Sequence, residues 1–442
     1  MNHGHPRLSV FGLGKLGSPL AAVLAEAGYE TTGYDVNPAA VAALAAGRAP
    51  VSETGLQETI DRGRDRLRAT GDAREAVLAS DASFIIVPTP SGPDGGFVND
   101  WVIEAVRAIG SALREKPGRH VAVVVSTVMP GATGGPIRAA LEEASGLTAG
   151  AGVGLVYSPE FVALGTVIRD TRMADLVLIG ESDPESGALV EAVQRRIALG
   201  APEVHRMSWE SAEVCKLALN SYVTTKISFA NTVADICQRL PGADALAVAA
   251  ALGADSRIGP KYLKPAVAYG GPCFPRDNRA FAALADALGA NAALARATDA
   301  VNDYQTARLL AQARALAPAG GTVAVLGMTY KPHTGVIEQS QGMRLAPALA
   351  AAGYRTLIAD PQGGEAAAAA LGPAAELREA AAAVGEADLV IITTPWPAFA
   401  EVPEAAWARP GGRAPVLDPW RLLAGAAAPS GAEPALAGAG DD

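Results

Sequence analysis

The stretch Val10-Phe-Gly-Leu-Gly-Lys-Leu-Gly17 decides the fold. Gly12, Gly14 and Gly17 follow an apolar run that begins at Leu8, and they open an Ala/Leu-rich helical segment. In a strand-turn-helix unit the first glycine allows a tight turn and the second lets the backbone approach a pyrophosphate. The third lets the helix lie close to the strand, with the helix N-terminus facing the anion. Lys15 and Leu16 complete the turn. About twenty residues on, Asp35 closes the next β-rich run, where a carboxylate accepts hydrogen bonds from ribose hydroxyls and repels a 2′-phosphate. The combination points to NAD rather than NADP; a glycine turn used only for packing is the bland alternative.

Short apolar runs alternate with helical stretches on either side of that motif, at 8–12, 30–34, 84–87, 121–126 and 155–157. Near-continuous apolar strands separated by helices imply a parallel sheet covered on both faces, a doubly wound α/β domain. From 208 to 239 the pattern becomes one long helical stretch without Gly or Pro, followed by helical segments to about 317. This is expected to be a central all-helical domain. Its apolar content, including Val214, Leu217, Ala218, Val223, Ile227 and Val233, suits either a subunit interface or a buried intrachain helix.

The β/α alternation resumes at 322–327, 354–360 and 387–394. An internal echo accompanies it: Gly28-Tyr-Glu-Thr-Thr-Gly-Tyr-Asp35 is similar to Gly353-Tyr-Arg-Thr-Leu-Ile-Ala-Asp360. The C-terminal domain is therefore expected to be a second Rossmann-like unit. The expected domains are 1–205, 206–317 and 318–423, with an Ala/Gly/Pro-rich tail over 424–442 too poor in bulky apolar residues to pack.

Half of the 442 residues are apolar and 19% are charged, with a net charge of -10. The negative balance and the lack of a basic stripe argue against a nucleic-acid partner. No apolar run approaches membrane-spanning length, and the short polar start reads as neither a signal nor a transit peptide. Cys215, Cys237 and Cys273 match neither a disulfide framework nor a zinc site, which points to a reducing cytoplasm. The five histidines form no metal constellation.

Cys273 lies in Ala268-Tyr-Gly-Gly-Pro-Cys-Phe-Pro-Arg-Asp277, a segment without helical or strand period. Thiols of this kind are usually buried and inert. Here Gly270 and Gly271 allow close approach, and Arg276 and Asp277 bring charge beside the sulfur. A nucleophilic thiol in a nicotinamide enzyme can hold an aldehyde for a second oxidation, taking an alcohol to an acid. Lys216 and Asn220 stand at i and i+4 on one helix face, suited to an oxyanion, against the usual reading of a solvated lysine. Pro88-Thr-Pro90 and Ser126-Thr127 end two strands, where their hydroxyls serve either a ribose or strand-end capping.

These segments resemble the UDP-glucose/GDP-mannose dehydrogenase family of nucleotide-sugar 6-dehydrogenases. The resemblance runs in family order from about residue 8 to 420. It rests on the glycine turn, Pro88-Thr-Pro90, Ser126-Thr127, Ser158-Pro-Glu-Phe161, Glu213-Val-Cys-Lys-Leu-Ala-Leu-Asn220, Thr225-Lys-Ile-Ser-Phe229, Arg257-Ile-Gly259, the cysteine loop and Tyr330-Lys-Pro332. It implies an N-terminal NAD domain, a central helical domain that forms a homodimer, and a C-terminal domain that holds the nucleotide sugar. It further implies oxidation at C6 through a thiohemiacetal and a thioester on Cys273, with Lys216, Asn220, Asp277, Thr127 and Glu160 in catalytic roles. Gly12, Gly14, Lys15, Leu16, Gly17, Asp35, Pro88, Thr89, Thr127, Glu160 and Arg276 would meet the cofactor. Phe161, Val162, Lys216, Asn220, Arg257, Tyr262, Leu263, Tyr269, Gly270 and Lys331 would meet the substrate, Arg257 that of a neighbouring subunit.

The chain departs from the pattern of the UDP-glucose enzymes at several positions. Leu164 replaces a glutamate that the family uses to handle water in thioester hydrolysis, and Ala268 replaces a glycine. Gly335, Val336 and Glu338 replace an acidic pair and an arginine. A charge reversal at 338 leaves both base and sugar open. Two other classes remain beside this expectation: a two-electron hydroxyacid-type dehydrogenase, and a nucleotide-sugar-binding protein without turnover.

Overall fold

In the computed structural model, residues 5–409 and 412–425 are described. The chain divides into two compact units, Met1–Ala218 and Leu219–Asp442. In the first, β1 (Leu8–Phe11), β2 (Thr31–Tyr34), β3 (Leu67–Thr70), β4 (Ala82–Ile85), β5 (Val121–Val124), β6 (Gly154–Tyr157), β7 (Leu176–Glu181) and β8 (Glu203–Met207) form one sheet. Their order is β3-β2-β1-β4-β5-β6-β7-β8. Strands β1, β4, β5 and β6 are buried at every position, as expected where helices cover both faces. Side chains alternate between two cores, Leu8 and Val10 packing with Leu24 and Val123 on one face, and Phe11 with Ile109 and Val124 on the other. Neighbours β2 and β4 flank β1, so the chain reverses its winding direction at the carboxyl end of β1, where such sheets bind ligands.

The strands expected from the sequence all pair in parallel, whereas β7, outside that expectation, runs antiparallel to β6. Between them the chain forms only the helix Val167–Arg172, about 9 Å long. That is too short to carry the chain back along the sheet for a parallel return. The 14-residue helix Pro184–Ile197 does so for the parallel pair β7 and β8.

The long helix Trp209–Arg239 begins in the first unit, and its later residues belong to the second. The helices Ala245–Ala254, Phe274–Ala287 and Ala293–Leu316 complete the central helical domain. A second sheet follows, built from β9 (Thr322–Leu326), β10 (Arg355–Ala359), β11 (Glu376–Leu377) and β12 (Leu389–Ile392). After the small hairpin of β13 (Ala408–Arg409) and β14 (Gly412–Arg413), β15 (Val416–Leu417) completes it. The order β11-β10-β9-β12-β15 repeats the first half of the N-terminal sheet, and all its pairs are parallel.

Of the expected tail, residues 424 and 425 belong to the turn Leu422–Gly425, and positions from 426 onward lie outside the described residues. Among the described residues no helix is long and apolar enough to cross a membrane, and no group of three His, Cys, Asp or Glu could hold a metal ion.

Candidate active site

The first unit carries a dinucleotide cradle. Gly12 has φ +103°, and a Cβ there would lie 2.4 Å from the Ile86 carbonyl oxygen. A Cβ on Gly17 would sit 1.8 Å from the Gly12 carbonyl oxygen, so the helix Gly17–Glu26 lies against the turn only because residue 17 is glycine. Gly14 has no protein atom within 4 Å of its would-be Cβ. The protein's own packing does not require glycine there, and the space beside it is open to a ligand.

The helix has no side-chain cap and no acidic residue in its first turn, which leaves its N-terminal amides to an anion. Lys15 is exposed and Leu16 half-buried beside them. Asp35 closes β2, accepting from the Leu13 amide at 2.5 Å and the Asn37 amide at 2.7 Å. These bonds fix the carboxylate at the mouth of the turn and leave lone pairs for ribose hydroxyls. The residues present therefore fit NAD.

Thr89 is buried and its hydroxyl donates to the Thr127 carbonyl at 2.7 Å, while the Ser126 hydroxyl donates to the Val87 carbonyl at 2.7 Å. Both hydroxyls thus lace the ends of β4 and β5 together, and exposed Pro88 stands between Val87 and Thr89. Beyond β6, Lys216 on the long helix is 7% exposed; its ammonium donates to the Glu160 carbonyl at 2.6 Å and lies 4.4 Å from the Phe161 ring centroid. Burial raises the pKa of the Glu160 carboxyl, and Gln194 and Lys216 oppose that shift. Val162 and Leu164 are half-buried in the same loop.

Two glutamates outside the expected set organise this region. Glu53 accepts from the Gly165 and Val167 amides at 2.8 and 3.0 Å, holding the loop where Leu164 stands. Glu213 is fully buried and accepts from the Gly131 and Thr133 amides at 2.6 and 2.8 Å, pinning the long helix to the loop after Thr127. Burial raises its pKa. Glu53 has no local sequence signal. Glu213 shares its helix face with Glu210, Lys216, Leu217 and Asn220, so it carries no distinct signal either.

In the second unit, exposed Cys273 occupies the N-cap position of the helix Phe274–Ala287. Negative charge on its sulfur, or on an oxygen attached through it, is favoured at this end of the helix dipole. Its carbonyl accepts from the Asp277 amide at 2.8 Å, the first helical bond. The Asp277 carboxylate is 1% exposed, taking a 2.7 Å bond from the Asn220 side-chain amide and a 3.0 Å ion pair from Arg276. Thus Cys273, Arg276, Asp277 and Asn220 come together.

The glycines before the cysteine make backbone docking possible. Gly271, at φ +81°, donates to the Glu338 carbonyl at 2.9 Å, and a Cβ there would strike the Tyr330 ring at 2.6 Å. A Cβ on Gly270 would lie 2.3 Å from the Gln339 carbonyl oxygen. Tyr269 is buried with its hydroxyl on Asp299 at 2.6 Å, and Leu263 is buried. Tyr262 is 49% exposed and has φ +64°. The Arg257 side chain is 86% exposed and turns to Asp255 at 2.6 Å. Lys331 lies 5.9 Å from the Tyr330 ring centroid.

Residues 6–198, 210–304 and 324–424 match the NAD binding, central and UDP binding domains of the UDP-glucose/GDP-mannose dehydrogenase family. The chain is 36% identical over 397 residues to the UDP-glucose 6-dehydrogenase AglM of Haloferax volcanii, covering 89% of this chain and 92% of that one. It is 34% identical over 360 residues to the GDP-mannose 6-dehydrogenase of Pseudomonas aeruginosa, covering 80% and 81%. The solved UDP-glucose dehydrogenase of Pyrobaculum islandicum superimposes with a TM-score of 0.85 at 36% identity, covering 94% of both chains. With its glycine cradle, helical centre and second Rossmann-like sheet, the chain belongs to the UDP-glucose/GDP-mannose dehydrogenase family and is an NAD-dependent nucleotide-sugar dehydrogenase.

Proposed function

We propose that the chain oxidises the C6 hydroxyl of UDP-glucose, or of a related UDP-sugar, to the uronic acid by removing four electrons. The observation that carries this reading is Cys273 at the head of its helix, with the Asp277 carboxylate one turn in and bonded to Asn220. NAD, when bound in the glycine cradle, supplies the acceptor for each pair of electrons.

The residues of the chain do the rest. The alcohol first becomes an aldehyde. The Cys273 sulfur adds to the aldehyde carbon, forming a C–S bond and a thiohemiacetal whose oxygen takes up a proton. Loss of a second hydride and that proton leaves a thioester. Water then adds to its carbonyl, the C–S bond breaks, and the thiol and the carboxylic acid are released. Asp277 is the proton carrier beside the sulfur, while Lys216 and Asn220 stabilise oxyanions. Glu160, half-buried and inclined by burial to hold its proton, is the remaining carboxyl of the Pro-Glu-Phe loop now that position 164 is leucine. Arg257 and Lys331 are assigned to the substrate's anionic groups, and Asp35 to the adenosine ribose.

The assembly is a homodimer through the central helices, in a reducing cytoplasm that keeps Cys273 a thiol. Its support is the line of exposed side chains Tyr222, Phe229 and Ile236 along one side of the long helix, 63, 54 and 60% exposed. Their spacing keeps them on a common face, an apolar stripe of the kind that marks interfaces. A panel of UDP- and GDP-sugars followed by NADH absorbance tests the substrate. Turnover of UDP-sugars supports the assignment, and turnover confined to GDP-sugars overturns it.

A further inference from the structure

The loop bearing Cys273 is fastened on both sides of the sulfur to one face of the helix Ala293–Leu316. Ahead of the cysteine, the Asn302 side-chain oxygen accepts from the Tyr269 amide at 2.8 Å, and its nitrogen donates to the Tyr269 carbonyl at 3.1 Å. Asp299 takes the Tyr269 hydroxyl at 2.6 Å. Behind the cysteine, the Asn278 side chain donates to the Ala295 carbonyl at 2.9 Å. At the far end of the same face, Thr306 accepts from Gln341 at 3.1 Å, and the Gln341 oxygen accepts from the Ala268 amide at 3.2 Å. Ala295, Asp299, Asn302 and Thr306 recur at the spacing of a single helical stripe.

Asn302 is the centre of this fastening. It is 2% exposed, and with both ends of its amide it meets the backbone N–H and C=O of one residue, as a neighbouring strand would. The partners fix its orientation, because an N–H only donates and a carbonyl only accepts. The Tyr269 ring in turn meets the Phe274 ring edge-on with centroids 6.5 Å apart, and Phe274 is bonded in sequence to Cys273. A displacement at Tyr269 is thereby passed to Phe274, the residue beside the sulfur.

We propose that Asn302 is a positioning residue for Cys273, setting where the sulfur meets the substrate carbon without touching either. This rests on Cys273 being the nucleophile. The test uses Asn302→Asp, which keeps the size and one acceptor but turns a carboxylate oxygen toward the Tyr269 carbonyl. A displaced reacting group costs on the order of 10²-fold in rate. Accordingly kcat falls by about that factor, KM for NAD is unchanged, and alkylation of Cys273 by iodoacetamide slows, measured by mass of the labelled peptide.

A folded Asn302→Asp protein with parental kcat and parental alkylation overturns the proposal. If that variant does not fold, Asn302→Ser, which removes both amide bonds to the Tyr269 backbone without adding charge, is read by the same two measurements. It is expected to show smaller losses in both, and parental values in both overturn the proposal. Slowed alkylation in a chain whose acid formation proves independent of Cys273 upholds the positioning and defeats only the nucleophile assignment.

Discussion

The Asn220 side-chain amide donates to the Asp277 carboxylate across 2.7 Å, and Arg276 closes on the other oxygen at 3.0 Å, one helical turn from Cys273. In the proposed mechanism this carboxylate carries a proton from a fixed place, so its removal is felt in chemistry more than in binding. Asp277→Asn, of equal size, is expected to lower kcat by about 10²–10⁴-fold with KM for NAD nearly unchanged. Asn220→Ala leaves the Arg276 pair and costs less. Steady-state kinetics decides, and a parental kcat in Asp277→Asn removes this carboxylate from the mechanism.

Gly14 and Gly17 separate ligand space from packing space. Gly17→Ala drives a methyl into the Gly12 carbonyl oxygen, 1.8 Å away, and destabilises the first unit by roughly 1–3 kcal/mol or more. Gly14→Ala meets no protein atom within 4 Å and keeps parental stability. It is expected to weaken NAD by about tenfold, or ~1.4 kcal/mol, because the methyl occupies the pyrophosphate's place. Urea unfolding paired with NAD titration checks both; undiminished NAD affinity in Gly14→Ala contradicts the cradle.

A buried polar chain at the amino ends of β4 and β5 sets an acid limit on stability. Lys116 donates to the Val77 and Ser80 carbonyls and to His120 Nδ1, which therefore carries no proton; His120 Nε2 donates to Ser83 at 2.9 Å. Burial, reinforced by the Lys116 charge, pushes the His120 pKa down from 6.5 to about 3. Between those values the unfolded chain binds a proton that the folded chain refuses. Stability is thus lost as pH falls through that window, by up to about 1.4 kcal/mol per pH unit. Burial likewise lowers Lys116 from 10.5 to about 8, which adds stability as pH rises through that interval. Urea midpoints at pH 4 and 6.5 for the parent and His120→Gln test the acid limb, where the variant is expected to lose most of the slope. An equal slope in both assigns the acid sensitivity to other groups.

The apolar stripe predicts a change of assembly. Phe229→Glu combined with Ile236→Glu places two carboxylates on the exposed face of the long helix, and sedimentation is expected to shift from dimer to monomer. A parent that already sediments as a monomer contradicts the dimer.

The duplicated architecture was legible in the sequence because it rests on local chemistry. Gly12 and Gly327 have φ of +103° and +107°. Asp35 accepts from the Leu13 amide, and Asp360 accepts from the Met328 amide at 2.7 Å. In each sheet a glycine turn and an aspartate one strand away make the same bond, and the echo between 28–35 and 353–360 records it. Strand β8 was not legible: its exposed Glu-Val-His-Arg-Met pattern lacks the apolar run that marked the buried strands. The antiparallel turn into β7 depended on a helix too short to read.

The candidate site's clustering was legible where its residues are close in sequence, as with Cys273, Arg276 and Asp277, whereas the bond from Asn220 to Asp277 spans 57 positions. Glu53 reaches Gly165 from 112 positions away, and Asn302 reaches Tyr269 from 33. Such supports are set by tertiary packing, and neither carries a local pattern.

The most direct test of the central claim counts electrons. With limiting UDP-sugar and excess NAD, the account predicts two NADH and one uronic acid per sugar consumed, and near-complete loss of acid formation in Cys273→Ala. One NADH per sugar with a released aldehyde or ketone, or undiminished acid formation in Cys273→Ala, contradicts it.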